Sequence, residues 1–388
     1  MDTLVSGYSK SASITASAPF LFYSNSSSVR CKGAKKVLER PLADPLFTQH
    51  LDELFTAEKA LGVENPIVVG AIPFDLEQPT HLIVPEWFTF QSVPSFDMSL
   101  FNDRSFKHKV RAHQFFPEHD AFIHGVNQAH TLFGDTELKK VVLSRLLELE
   151  LDQPVDLSRL MGNVMAQNPN AYHFNLPIRE GVLIGASPEL LIRKTADKVY
   201  SNPLAGSAKR QCHEEADVAA ADGLWNSTKD QYEHRLVVDS IRSSIARYVG
   251  SKVIPDTPSL INTPTMWHLS TQIEGRLRDS NTSIFELIRS IHPTPAMGGT
   301  PSKLAKQVID DVEPHDRCFF SGLVGWADSQ GNGEWAIAIR CAEVKGAFVR
   351  LFAGAGIVPQ SDPEMEWIET GNKMQTMLNA FGIERSAL

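Results

Sequence analysis

Few of the common signatures of function occur in these 388 residues. The four cysteines, Cys31, Cys212, Cys318 and Cys341, have no CxxC spacing, which argues against a disulfide framework and fits a reduced setting. No segment approaches the roughly 20 apolar residues of a membrane span. The serine-rich start contains one short apolar run, Pro19 to Tyr23, below the roughly 7–15 residues of a secretory core. Residues 1–18 therefore read as a loose tail, residues 19–388 as one catalytic domain, and the location as cytoplasmic. No glycine-rich dinucleotide fingerprint follows a strand, and Gly298, Gly299 and Lys303 lack the spacing of a phosphate loop. A basic surplus is missing too. The net charge is −9, which argues against nucleic acid or an anionic membrane as partner. An acidic chain that binds an anion must gather positive charge at one place. Neither a Pro/Gly/Ser linker nor a repeat divides the sequence.

What is present is a mixed order of strands and helices without strict alternation, which favours a single large α+β domain over a doubly wound sheet. Helices are expected over Asp44 to Leu61 with Asp44 as N-cap, Glu118 to Leu132, Asp156 to Gln167, Glu214 to Asn226, Lys229 to Val249, Ser283 to Ser290, Pro301 to Val312 and from Glu364 onward. Strands are expected over Pro19 to Tyr23, Ile67 to Phe74, Leu138 to Glu150, Thr265 to Arg278 and Phe319 to Trp326. A hairpin of Ala171 to Leu176 and Gly181 to Ala186 turns at Pro177. Another strand ends at Asn202 to Ser207, where Gly206 can expose backbone N–H groups. Trp335 to Cys341 and Phe348 to Ala353 read as paired strands leading into a glycine-rich turn at Gly354 and Gly356. Residues 85–116 carry no pattern that assigns an element.

Charges on two helices are patterned. At about 100° per residue, Glu366, Glu369 and Lys373 share one stripe beside Trp367, Met374 and Leu378. Asp230 and Glu233 begin a stripe that continues into Val237 and Ile241. Carboxylates entering an inward helix face call for a cation, and hard oxygen ligands suit Mg²⁺. Each pattern also reads as a solvated face with ordinary ion pairs, or as acids favouring a helix N-terminus. Lys140 opens the apolar run Val141 to Leu143, where a desolvated amine could act as a base, or it is a strand-end lysine reaching solvent. Glu189 lies in a tight turn flanked by hydrophobic residues. It reads as a general acid of raised pKa or as a first-turn glutamate after Pro188. His268 reads as a site histidine or as a satisfied core histidine.

Together, KKVVLSR (139–145), GASPELL (185–191), PLAGSAKR (203–210), EHRLV (233–237), TPTMWHL (263–269), HPTPAMGG (292–299), GWADSQGNGEWAIAIRCAEV (325–344) and LFAGAGIVP through EMEWIETGNK (351–373) resemble the chorismate-utilising enzymes, and specifically the bacterial isochorismate synthases of catechol siderophore pathways. With VGAIPFD (69–75) the resemblance covers nearly the whole chain. It implies two stacked β-sheets flanked by helices, and Mg²⁺-dependent conversion of chorismate to isochorismate on the way to 2,3-dihydroxybenzoate. It assigns Lys140 as the base that activates water and Glu189 as the acid. Glu233 and Glu369 would bind Mg²⁺, with Asp230 and Glu366 holding its waters. Arg340, Lys373 and the Gly354 backbone would hold the enolpyruvyl carboxylate, while His268, Gly206 and Ser207 orient the ring and Ala296 and Met297 line it. A monomer without a glutaminase subunit is expected, with an isochorismatase acting downstream.

Rival members of the family are salicylate synthases and the aminating enzymes. Lys140, Ala296 where anthranilate synthases carry threonine, and the PLAGS sequence speak against amination. A non-catalytic chorismate-binding subunit is a further alternative, disfavoured because both Lys140 and Glu189 are present.

Overall fold

The computed structural model describes residues 20–91, 103, 105–384, 386 and 388, so the expected tail at 1–18 lies outside the described residues. Two large antiparallel sheets are stacked. The first runs in the order Trp87–Gln91, Ser28–Lys32, Phe20–Tyr23, Tyr172–Ile178, Gly181–Ser187, Cys341–Lys345, Phe348–Ile357, Lys140–Leu151 and Gly299–Thr300, with Val110–Phe116 also paired to Lys140–Leu151. The second runs Val249–Val253, Ile273–Leu277, Lys198–Asn202, Leu190–Thr195, Gly333–Ile337, Leu323–Asp328, Ile67–Ile72, His81–Val84 and Lys36–Leu38. A small third sheet joins Leu204–Lys209, Met266–Ser270 and Ser259–Asn262.

Side-chain alternation along the strands builds two cores. Leu183 and Phe352 face the main core between the sheets, which also holds Phe174, Val69 and the fully buried Trp335. Their strand neighbours Val182, Ile184 and Leu351 face the opposite side of the first sheet, against the helices Leu157–Gln167 and Pro363–Phe381. Asp156 caps the first of these helices by accepting from the N–H groups of Ser158 and Arg159. The helix Pro363–Phe381 starts with Asp362 as cap and ends at Gly382, whose left-handed backbone closes it.

Several expected strands prove to be two, and the breaks matter. Trp335 to Cys341 does not form one strand paired to Phe348–Ala353. Gly333–Ile337 belongs to the second sheet, while Cys341–Lys345 pairs with Phe348–Ile357 in the first. The chain passes between sheets at Arg340, whose φ is +51°. Likewise Gly181–Ser187 lies in the first sheet and Leu190–Thr195 in the second, with the passage at Pro188 and Glu189. The two passages are tied together: Ala186 N–H donates to the Arg340 carbonyl at 3.1 Å and Ile337 N–H to that of Glu189 at 3.1 Å. Thr265 to Arg278 also divides, with Met266–Ser270 in the small sheet and Ile273–Leu277 in the second. The apolar pattern cannot report such a change of sheet, because each half keeps buried apolar positions.

Smaller differences have local causes. Gly354 and Gly356 lie inside the strand Phe348–Ile357 rather than in a turn, opposite Ser144 and Val142. Pro177 sits within a strand opposite Val182, and the hairpin turns at Arg179 and Glu180. Asp44 accepts from Leu46 N–H and pairs with Arg40 ahead of a helix that begins at Phe47, so Leu46 is the N-cap. The helix expected to reach Val249 ends at Ile245, and Val249 starts a strand. Within residues 85–116 the chain forms Trp87–Gln91 and Val110–Phe116. Among the described residues no helix is long and apolar enough to cross a membrane.

Candidate active site

The passages between sheets, the small sheet and the ends of two helices converge on one cavity. It is lined by Glu189, Gly206, Ser207, Glu233, His268, Ala296, Met297, Arg340, Gly354, Glu369 and Lys373. Of the residues singled out in the sequence, Lys140, Asp230 and Glu366 do not line it. Lys140 is fully buried, and its Nζ lies 2.8 Å from Glu233 Oε1, so it reaches the cavity through that carboxylate. Gly356 makes this pair fit: a Cβ there would come 2.1 Å from Glu233 Oε1 and 2.9 Å from Lys140 Cε.

Three carboxylates of the site are paired with lysines. Lys373 Nζ lies 2.5 Å from Glu369 Oε1 and donates to the Gly354 carbonyl at 2.8 Å. Lys229 Nζ donates to Glu366 Oε1 at 2.6 Å. Burial and repulsion from Glu369 push Glu366 up to about 7, while Lys373 helps hold Glu369 below the usual carboxylate range. Asp230 rises to about 6 through burial and the nearby Glu233 and Glu369 charges. Among the described residues no group of three His, Cys, Asp or Glu is gathered tightly enough to hold a metal. Four mutually repelling carboxylates are nevertheless the hard-oxygen donor set that a divalent cation would neutralise.

Glu189 is pushed up to about 7 by burial, against a hydrogen bond from Leu204 N–H and the attraction of Lys140, Arg340 and Lys373. It can therefore hold a proton near neutral pH. Arg340 is buried, with Nε lacking a partner among the described residues, and burial pulls it down to about 10. Its left-handed backbone is strained for a side-chain-bearing residue, a conformation kept at sites that need a group aimed one way. His268 drops to about 3 through burial and the Arg340 and Lys373 charges, so its ring is neutral. The ring bonds to the Gly206 backbone and Nε2 has no partner among the described residues, so Nε2 is an acceptor available to a ligand hydroxyl. Gly206 has φ +77°, and a Cβ there would meet Asp230 at 2.9 Å.

Sequence reasoning missed three supporting residues. Lys229 is one, because a lysine in a first helical turn looks like a solvated residue. Arg145 lies inside the quoted motif KKVVLSR, and its guanidinium sits 3.3 Å from the Trp367 ring centroid. It donates from Nε to Thr370 Oγ1 at 2.7 Å, fixing the helix Pro363–Phe381 against the strand Lys140–Leu151. Arg317 donates to the carbonyls of Met297 at 2.8 Å and Val142 at 2.7 Å, and pairs with the buried Glu313. It clamps the cavity wall at Ala296 and Met297 to the Lys140 strand. Only a pattern of buried charge could have revealed it, and periodicity does not record that.

A cavity with a protonatable carboxyl, a buried guanidinium whose Nε has no partner among the described residues, and a lysine sealed behind it suits an enzyme acting on a small anion. The family model described as chorismate binding enzyme matches residues 73–382. Isochorismate synthase EntC of Escherichia coli K12 is 45% identical over 342 residues, covering 88% of this chain and 87% of that protein. Isochorismate synthase DhbC of Bacillus subtilis is 39% identical over 343 residues, covering 86% and 85%. The crystal structure of a 2,3-dihydroxybenzoate-specific isochorismate synthase, DhbC from Bacillus anthracis, superposes with TM-score 0.88 at 37% identity over 95% of this chain and 98% of that one. This chain belongs to the chorismate-binding enzymes. Anthranilate synthase component I from Streptococcus pneumoniae shares the fold, with TM-score 0.72 at 21% identity over 91% of this chain and 92% of that one.

Two outcomes follow from the geometry. Arg317→Met should destabilise the fold by about 3–5 kcal/mol in urea denaturation, since it leaves Glu313 buried without its partner. From the ordinary carboxylate range up to about pH 7, folded Glu189 keeps a proton that the unfolded chain has released, so wild-type stability falls as pH rises through that window. Glu189→Gln removes this loss. Its stability relative to wild type should climb between pH 5 and 7 and level off above, as read by urea titrations across pH.

Proposed function

We propose that the chain is an isochorismate synthase, converting chorismate to isochorismate with Mg²⁺ in the cytoplasm, as a monomer without a glutaminase subunit. The product would feed a 2,3-dihydroxybenzoate pathway toward a catechol siderophore, with an isochorismatase acting next. The observation that carries the reading is Glu189: a carboxyl poised near pH 7 in the same cavity as two cations and beside the Lys140–Glu233 pair.

Chorismate is a dianion. In an acidic protein its carboxylates need the positive charge that this cavity concentrates in Arg340 and Lys373. Arg340, with its free Nε donor, and Lys373 would hold the enolpyruvyl carboxylate beside the Gly354 backbone. Glu233 and Glu369 would bind the metal, with Asp230 and Glu366 holding its waters. The ion would supply charge neutralisation at the ring carboxylate. The neutral His268 would accept from a ring hydroxyl, with Gly206 and Ser207 completing the ring contacts.

Lys140 would take the proton from a water whose oxygen bonds to C2. The ring double bond shifts, the C4–oxygen bond breaks, and Glu189 gives its proton to the departing hydroxide, which leaves as water. One water enters and one leaves. Because one allylic alcohol replaces another, the equilibrium should lie near unity.

Lys140→Ala and Glu189→Gln should each lower kcat at least about 10²-fold, the scale of general acid–base catalysis. Near-wild-type turnover in either would remove the assigned role. Glu369→Ala should weaken the dependence on Mg²⁺, and an unchanged Mg²⁺ titration would take Glu369 out of the metal site. The deciding experiment is chromatography of products from chorismate and Mg²⁺, with and without ammonium and chelator. Isochorismate formed without ammonium and abolished by chelator is expected. Salicylate with pyruvate, or an aminated product that requires ammonium, would overturn the reading.

A further inference from the structure

One ammonium interacts with every carboxylate of the proposed ion site. Lys229 donates to Glu366 at 2.6 Å, and its charge also acts on Glu369, Glu233 and Asp230. We infer that Lys229 is a resident counter-ion that occupies the carboxylate set and that a divalent cation must displace. This inference rests on the reading that these four residues take such a cation.

Three features support it. Lys229 stands in the first turn of the helix Thr228–Ile245, where the helix dipole disfavours a positive side chain, so its placement answers to the acids opposite rather than to its own helix. The pair is asymmetric: the Lys229 side chain is 26% exposed and that of Glu366 only 2%. The ammonium, on a flexible four-carbon stem, can swing to water, while the carboxylate cannot follow. Finally, the other two lysines of the set are held more tightly. Lys140 is sealed in protein and Lys373 is anchored by the Gly354 carbonyl as well as by Glu369. Lys229 is the cation whose release opens a coordination position without dismantling the cavity wall.

Mutual exclusion has a measurable consequence, because a competitor built into the protein lowers the apparent affinity for the ion. Binding of Mn²⁺, followed by the electron paramagnetic resonance of the free ion, would be compared in wild type, Lys229→Met and Lys229→Arg. Lys229→Met should bind Mn²⁺ about tenfold more tightly, within the usual range of coupling between two ligands, and Lys229→Arg should stay near wild type. Equal or weaker binding by Lys229→Met would overturn the inference. A second readout needs no variant: in the wild type, Mn²⁺ should speed acetylation of Lys229 several-fold, measured by peptide mass spectrometry. Wild-type binding of Mn²⁺ with no faster acetylation of Lys229 would sink the exchange and leave the metal reading intact. Absence of Mn²⁺ binding in the wild type would sink both.

Discussion

Burying charge is the constraint that shapes this molecule. Lys140, Glu189, Glu233, Arg340 and Glu366 are all at most 7% exposed, and an isolated charge at such a depth is costly. The structure meets the constraint in two ways. Glutamates 233, 366 and 369 are each matched to a lysine within hydrogen-bond distance. Glu189, which has no lysine at that distance among the described residues, is pushed up to about 7, as is Glu366 despite Lys229, because burial outweighs the attraction of the nearby cations. The chemistry proposed for the site needs cations to grip an anion and a neutral carboxyl to deliver a proton.

The stacked sheets make this arrangement affordable. Where a chain passes from one sheet to the other, its backbone leaves the ladder and can aim a side chain into the gap between layers. Glu189 and Arg340 lie at two such passages, linked by reciprocal backbone hydrogen bonds. Arg340 takes a left-handed backbone there. Rigidity comes from behind the site. Arg317 locks the Met297 wall to the Lys140 strand, and Arg145, stacked on Trp367, fixes the rotation of the helix that carries Glu366, Glu369 and Lys373.

Much of this was legible beforehand, for identifiable reasons. Helical periodicity placed Glu366, Glu369 and Lys373 on one stripe, and the structure keeps them on one helix with Glu369 and Lys373 paired. The apolar run after Lys140 announced a buried strand, and burial of the lysine followed. Changes of sheet were not legible. Trp335 to Cys341 is buried on both sides of its break, and in Thr265 to Arg278 the apolar positions resume at Ile273 and Leu277, so the pattern continues while the chain crosses layers. Lys229, Arg145 and Arg317 were missed because a cation's burial depends on which acid, carbonyl or ring meets it from elsewhere in the chain.

What the sequence determined by itself was therefore local and additive: which residues form helices, which faces are apolar, and which ionisable groups share a stripe. Its ordered motifs also marked the family, since many short matches in sequence order constrain one another. Tertiary structure alone decided the pairing of Lys140 with Glu233 and of Lys229 with Glu366. It also decided the protonation of Glu189, the neutrality of His268 and the strained turn at Arg340. These are properties of solvation and of contacts between distant segments, and neither exists until the two sheets close over the cavity.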